Sequence, residues 1–112
     1  MATDEHKIPE LTDDNFEAEA KGEGWCLVDF YAAWCPHCRA FRPVLDEVAQ
    51  GFAGPVKFVA ADVENCRTAA EQYGVMSIPT LVLLRDGAQV ELHVGGMAAA
   101  QLKDWLDEKT AE

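Results

Sequence analysis

The chain is poor in positive charge. Nine Lys and Arg stand against 20 Asp and Glu in 112 residues, a formal net charge of -11. The pI is about 4.5. Such an excess repels phosphate backbones and anionic membranes, which argues against a nucleic-acid or membrane-surface ligand. It leaves an acidic, soluble surface, or a field that steers toward a basic partner. Long apolar runs are also missing: none approaches the ~20 residues that would span a bilayer. The start, MATDEHKIPE, has no basic segment followed by an apolar one. The expected compartment is therefore the cytoplasm. No repeat, linker or low-complexity stretch divides the chain, so residues 1–112 read as one domain, with the polar residues 1–7 expected to fray.

What remains is an ordinary globular composition, 49% hydrophobic and 26% charged, in a chain long enough for a proper core. Four cysteines are present: Cys26, Cys35, Cys38 and Cys66. An even count points to disulfide staples in small secreted chains. This chain needs none, and a reducing cytosol would not keep them. Cys26 and Cys66 read as small buried hydrophobes. A regulatory or dimerising thiol is the other reading of Cys66.

Along the chain, Leu11 to Phe16 reads as a helix start. Thr12 is placed to cap it, acids fill its first turn, and Leu11 and Phe16 are spaced for a hydrophobic staple. The helix should end by Gly22 or Gly24. Residues 26–32, CLVDFYA, form a nearly continuous apolar run, as a strand covered on both faces would. Asp29 alone breaks it. Residues 36–52 have helical spacing, with a kink expected at Pro43. Residues 55–63 read as a second buried strand, and 67–73 as a short helix closed by Gly74. Residues 80–84 and 89–94 form a hairpin around Asp86-Gly87. A last helix shows Leu102, Trp105 and Leu106 on one face. This order implies an α/β sandwich with helices on both faces of a mixed sheet.

Residues 34–38 read WCPHC, directly after a buried strand and directly before a helix. A thiol at a helix start meets unpaired backbone N–H groups and the positive end of the helix dipole. Both favour the reactive thiolate. Pro36 suits the first helical position, where a missing N–H costs nothing. Cys35 is thus expected to be an exposed nucleophile, and Cys38, one turn on, a shielded resolving thiol. Zinc binding is the alternative, but it needs four ligands, and no second CxxC or HxxxH exists here; His37, Cys26 and Cys66 would have to be recruited. A purely structural cross-link is weaker still, because closing so short a loop removes little unfolded-state entropy. Redox exchange fits best.

Taken together, VDFYAAWCPHC, Pro43, VMSIPTLVLLRDG and VGG make the chain resemble the thioredoxin family over roughly residues 10–109. The resemblance implies a three-layer sandwich: a central mixed sheet of four to five strands flanked by four helices. It implies an enzyme, a protein-disulfide reductase acting by thiol–disulfide exchange. Cys35 attacks the substrate disulfide and Cys38 resolves the mixed disulfide. A thioredoxin reductase would restore the dithiol, and its flavin belongs to that partner; this chain is expected to need no cofactor and no metal. Asp29 matches the family's buried carboxylate, which passes protons to and from Cys38; a purely structural aspartate is the alternative. Pro79 matches the family's cis-proline, with the Ile78 backbone beside it pairing an extended substrate segment. Trp34, Met76, Gly74 and Gly95 match the docking surface, although Trp34 could equally pack beside the active-site helix. A monomer is expected.

Two departures from the family pattern stand out. Its usual Gly-Pro between the cysteines is here Pro36-His37. Pro-His is the dipeptide of DsbA-like oxidases, and isomerases of the disulfide isomerase type carry Gly-His. A histidine at the helix start stabilises the thiolate, hence the reduced state, so the disulfide becomes a stronger oxidant than in an ordinary member. Second, many members place a lysine near the buried carboxylate on the next strand. Here that position is Ala60, which should make Asp29 harder to ionise. The alternatives are a disulfide-donating oxidase or isomerase and a non-catalytic binding subunit. Against the oxidase stand the absent export signal and the absence of the inserted helical domain of DsbA-like proteins.

Overall fold

The computed structural model describes residues 8–111. The expectation that residues 1–7 fray falls outside that range. Among the described residues five strands and four helices follow in the order β1 (Glu10–Leu11), α1 (Phe16–Ala20), β2 (Trp25–Tyr31), α2 (Pro36–Gly51), β3 (Val56–Asp62), α3 (Arg67–Gln72), β4 (Thr80–Arg85), β5 (Ala88–Val94) and α4 (Ala99–Thr110). The strands form one sheet in the order β1-β3-β2-β4-β5. β1, β3 and β2 run parallel, while β4 and β5 are antiparallel to their neighbours. This is the three-layer α/β sandwich of the thioredoxin fold.

Strand alternation divides the core. Cys26, Val28 and Phe30 of β2 point to one face, where they pack with Phe16 of α1 and Ala69 and Ala70 of α3. Trp25 and Leu27 point to the other, against Phe41, Leu45 and Val48 of α2 and Leu102 and Leu106 of α4. Asp29 falls on this second face by the same alternation. It therefore lies under α2. β2 is the middle strand, flanked by β3 and β4 and buried almost end to end, which explains its unbroken apolar run. The hairpin turns on two residues with positive φ, Asp86 at 53° and Gly87 at 84°. Asp-Gly tolerates that geometry, which matches the twist of the flanking strands.

One expectation fails at the start of the chain. Leu11 does not lead into a helix with Thr12 as its cap. It lies in β1 and pairs with Ala61, and α1 begins only at Phe16, with Asn15 before it. Thr12 instead donates its N–H to Asn15 Oδ1 at 2.8 Å. The reason is tertiary. Leu11 and Phe16 are both buried in the core under α1 and α3, and a strand edge seats Leu11 there better than a helix would. Asp13, which reads as a first-turn acid of α1, caps a different helix: its carboxylate accepts the N–H groups of Thr68 and Ala69 at 3.2 and 3.3 Å. α2 continues through Pro43 as one element. Among the described residues no helix is long and apolar enough to cross a membrane.

Candidate active site

The chain leaves β2 at Tyr31 and enters α2 at Pro36, so Cys35 sits at the N-cap in extended conformation, φ -85° and ψ 116°. Its sulfur takes the place of a capping oxygen: the backbone N–H of Cys38 donates to Cys35 Sγ at 3.3 Å. No disulfide joins the two cysteines in this structure. The Cys35 thiol is held below its ordinary pKa. The leading cause is the hydrogen bond from the Cys38 thiol, and the backbones of Cys38 and His37 add to it. Desolvation and the Asp29 charge oppose the shift. Cys38 goes the other way, pushed up to about 12 by burial first and by its bond to Cys35 second. The pair is thus split into one thiol ready to ionise and one that keeps its proton.

The expected contrast in exposure is absent. Cys35 is 4% exposed and Cys38 3%. Ala32 packs with both sulfurs, and Tyr31, Val63 and Ile78 close around the cluster. What separates the two thiols is the balance of burial, which dominates at Cys38, against hydrogen bonding, which dominates at Cys35; Ile78, from the loop before β4, packs against the cluster. Of the four cysteines, Cys26 and Cys66 stand apart in the other core layer. The Cys66 thiol donates to the Leu11 carbonyl at 3.2 Å, and its pKa is raised to about 11, chiefly by burial.

The remaining candidates surround this cluster unevenly. The Ile78–Pro79 peptide is cis. The Pro79 carbonyl accepts the N–H of Gly95 at 2.7 Å, which joins the loop before β4 to the turn after β5. Gly95 has a φ of 96°, a conformation that favours glycine. Trp34 is 64% exposed, so it is no core residue; its indole N–H donates to Glu64 Oε2 at 3.0 Å. Met76 is 95% exposed in the loop leading to Pro79. Gly74 has a φ of 72° and closes α3. Pro36 and His37 are both exposed on the first turn of α2. The His37 backbone reaches the Cys35 sulfur while its ring faces outward.

Asp29 is 1% exposed. Its carboxyl pKa is raised to about 7, first by burial, with Glu10 and Asp46 adding to the rise and Arg42 opposing it. The parallel register sets Ala60 directly across from it on β3, so the neighbouring strand brings no cation. A cation reaches Asp29 from a helix instead. Arg42 Nε of α2 lies 3.8 Å from Asp29 Oδ2. Arg42, Glu10 and Tyr31 are the site residues that sequence reasoning passed over. The available signal for Arg42 was its place four residues after Cys38, on the same helical face.

The comparisons with known proteins agree with this geometry. The family model Thioredoxin matches residues 7–108. Thioredoxin C-2 of Corynebacterium nephridii is 39% identical over 102 residues, covering 90% of this chain and 94% of that protein. Thioredoxin of Bacillus subtilis is 47% identical over 88 residues, covering 79% and 84%. Thioredoxin of Pseudomonas aeruginosa is 39% identical over 101 residues, covering 89% and 94%.

Proposed function

The chain belongs to the thioredoxin family and is a protein disulfide oxidoreductase; from that premise we propose that it works as a reductase of protein disulfides through Cys35 and Cys38, with an unusually oxidising couple. The observation that carries this is the split between the two thiols across the 3.3 Å contact of Cys38 N–H with Cys35 Sγ.

The steps balance as follows. The Cys35 thiolate attacks one sulfur of a substrate disulfide, the substrate S–S bond breaks, and the first substrate thiolate leaves and takes a proton. Cys38 then gives its proton to Asp29, and its thiolate attacks the Cys35 sulfur. The Cys35–Cys38 bond forms and the second substrate thiolate leaves. Two electrons pass to the substrate. A thioredoxin reductase returns them to the dithiol. The chain acts as a cytoplasmic monomer, and it holds no cofactor of its own during exchange.

Trp34, Met76, Ile78, Pro79 and Gly95 receive an extended stretch of substrate. Support comes from the exposure of Trp34 and Met76 beside a half-buried Ile78 that packs on the dithiol. Such a surface suits an added strand with apolar side chains.

The oxidising character follows from the donors around Cys35. The Cys38 thiol and the backbones of Cys38 and His37 all stabilise its thiolate. Whatever stabilises the thiolate stabilises the reduced form and weakens the disulfide. The positive end of α2, where His37 stands in place of the family's usual proline, adds to the same effect.

Reduction of insulin disulfides with Cys35→Ser and Cys38→Ser tests the reading. Cys35→Ser is expected to lose all activity, and Cys38→Ser to accumulate a mixed disulfide that mass spectrometry detects. Activity that survives Cys35→Ser contradicts it. A binding subunit would be indifferent to both changes.

A further inference from the structure

Asp29 has a cation that neither neighbouring strand offers. Ala60 faces it from β3 and Leu81 from β4. Arg42 reaches it from α2 instead, with Nε 3.8 Å from Asp29 Oδ2. The rest of the guanidinium is held from outside. Arg42 Nη1 donates to Glu10 Oε2 at 3.2 Å, and the Tyr31 ring lies 4.6 Å from the guanidinium carbon. The Tyr31 hydroxyl donates to the other oxygen of Glu10. Two strands, β1 and β2, thus pin one side chain of α2 above the buried acid. Among the described residues, both Asp29 oxygens and Arg42 Nε lack a hydrogen-bond partner. Their interaction is a charge attraction between a buried carboxyl and a partly exposed guanidinium.

We propose that Arg42 is a positioning residue for disulfide exchange: held by Glu10 and Tyr31, it sets the charge state of Asp29 and so the pH range in which that carboxylate accepts the Cys38 proton. The kinetic half rests on the reading of Asp29 given above. The other groups around Asp29 act in the opposite sense. Burial, Glu10 of β1 and Asp46 of α2 all favour the neutral acid, and Arg42 favours the carboxylate. Cys35 and Cys38 face Asp29 from the start of α2, and its charge raises the pKa of each thiol. Tyr31 of β2 meets the network through Glu10 and Arg42. Remove Arg42, and Asp29 is mostly a neutral acid at neutral pH, with only a minor fraction able to take the Cys38 proton. The Arg42 side chain is 26% exposed and lines a cleft of about 280 Å³ with Ile8, Glu10 and Asp46.

The test uses the whole protein with Arg42→Gln and Arg42→Lys. Carboxyl-carbon NMR follows the Asp29 titration in the reduced form. In parallel, Cys35 is loaded with 5-thio-2-nitrobenzoate, and release of that thiol by Cys38 is timed across pH. In Arg42→Gln the Asp29 titration is expected to move up by about one unit or more. Release at neutral pH should slow roughly fivefold, as the ionised fraction falls, and recover in alkali. Arg42→Lys should recover most of both effects. If the glutamine variant unfolds, Arg42→Met, which keeps the apolar stem over Tyr31, repeats the test. An Asp29 titration that stays in place overturns the proposal. A titration that moves while the release profile does not overturns its kinetic half and locates the failure in Asp29's own role.

Discussion

The amide of Cys38 donates to the sulfur of Cys35 across 3.3 Å, within the first turn of α2. The Cys38 thiol donates to the same sulfur. One residue thus stabilises negative charge on its neighbour while retaining its own proton. The order of attack and resolution follows from this asymmetry, to which the burial of Cys38 adds.

Alkylation reads that asymmetry directly. With the native dithiol protein and iodoacetamide near neutral pH, Cys35 is expected to react first and Cys38 much more slowly. Cys26, raised to about 12 mainly by burial, and Cys66, raised to about 11, should stay unmodified until the chain unfolds. Peptide mapping by mass spectrometry checks the sequence of events. Modification of Cys66 at the rate of Cys35 would show that its burial does not protect it.

Asp29 makes stability depend on pH. Its folded pKa, about 7, lies above the ordinary 3.8, so the folded state holds a proton that the unfolded chain releases. Stability therefore falls as pH rises from about 4 to about 7, and is constant with respect to this group outside that window. At about 1.4 kcal/mol per pH unit the loss is of order 4 kcal/mol. Asp29→Asn abolishes the dependence. Urea unfolding at several pH values should show the variant gaining on the wild type through this window. Parallel curves would mean that the carboxyl is not desolvated.

Met76 separates docking from chemistry. It is 95% exposed, so Met76→Asp should cost almost nothing in stability. It should raise KM for a protein disulfide several-fold through lost apolar contact and added negative charge, with the reduction potential unchanged. Steady-state kinetics beside a redox titration checks this. An unaltered KM would remove Met76 from the docking surface.

Much of this site is legible in the sequence because its signals are local. An apolar run interrupted by Asp29, followed by WCPHC and a helical pattern, places an acid and two thiols at the junction of β2 and α2. The Arg42 network is not local. β1 is two residues long, too short for any periodicity, and its pairing of Glu10 with Ala60 joins residues far apart in the chain. The role of Tyr31 depends on that pairing. The cover over Cys35 was missed for the same reason. An N-cap position predicts an accessible thiol, yet Ile78, from a distant loop, packs against the thiol cluster. Asp13 reads as an α1 residue until α3 is seen beside it.

The central claim concerns the balance between dithiol and disulfide at Cys35 and Cys38, and the reduction potential measures it most directly. The protein would be equilibrated against a reference thiol–disulfide couple, with His37→Pro as the control. A potential well above ~-230 mV that falls toward ~-270 mV in the control is the predicted result. A wild-type value near ~-270 mV, unmoved by the substitution, would contradict it.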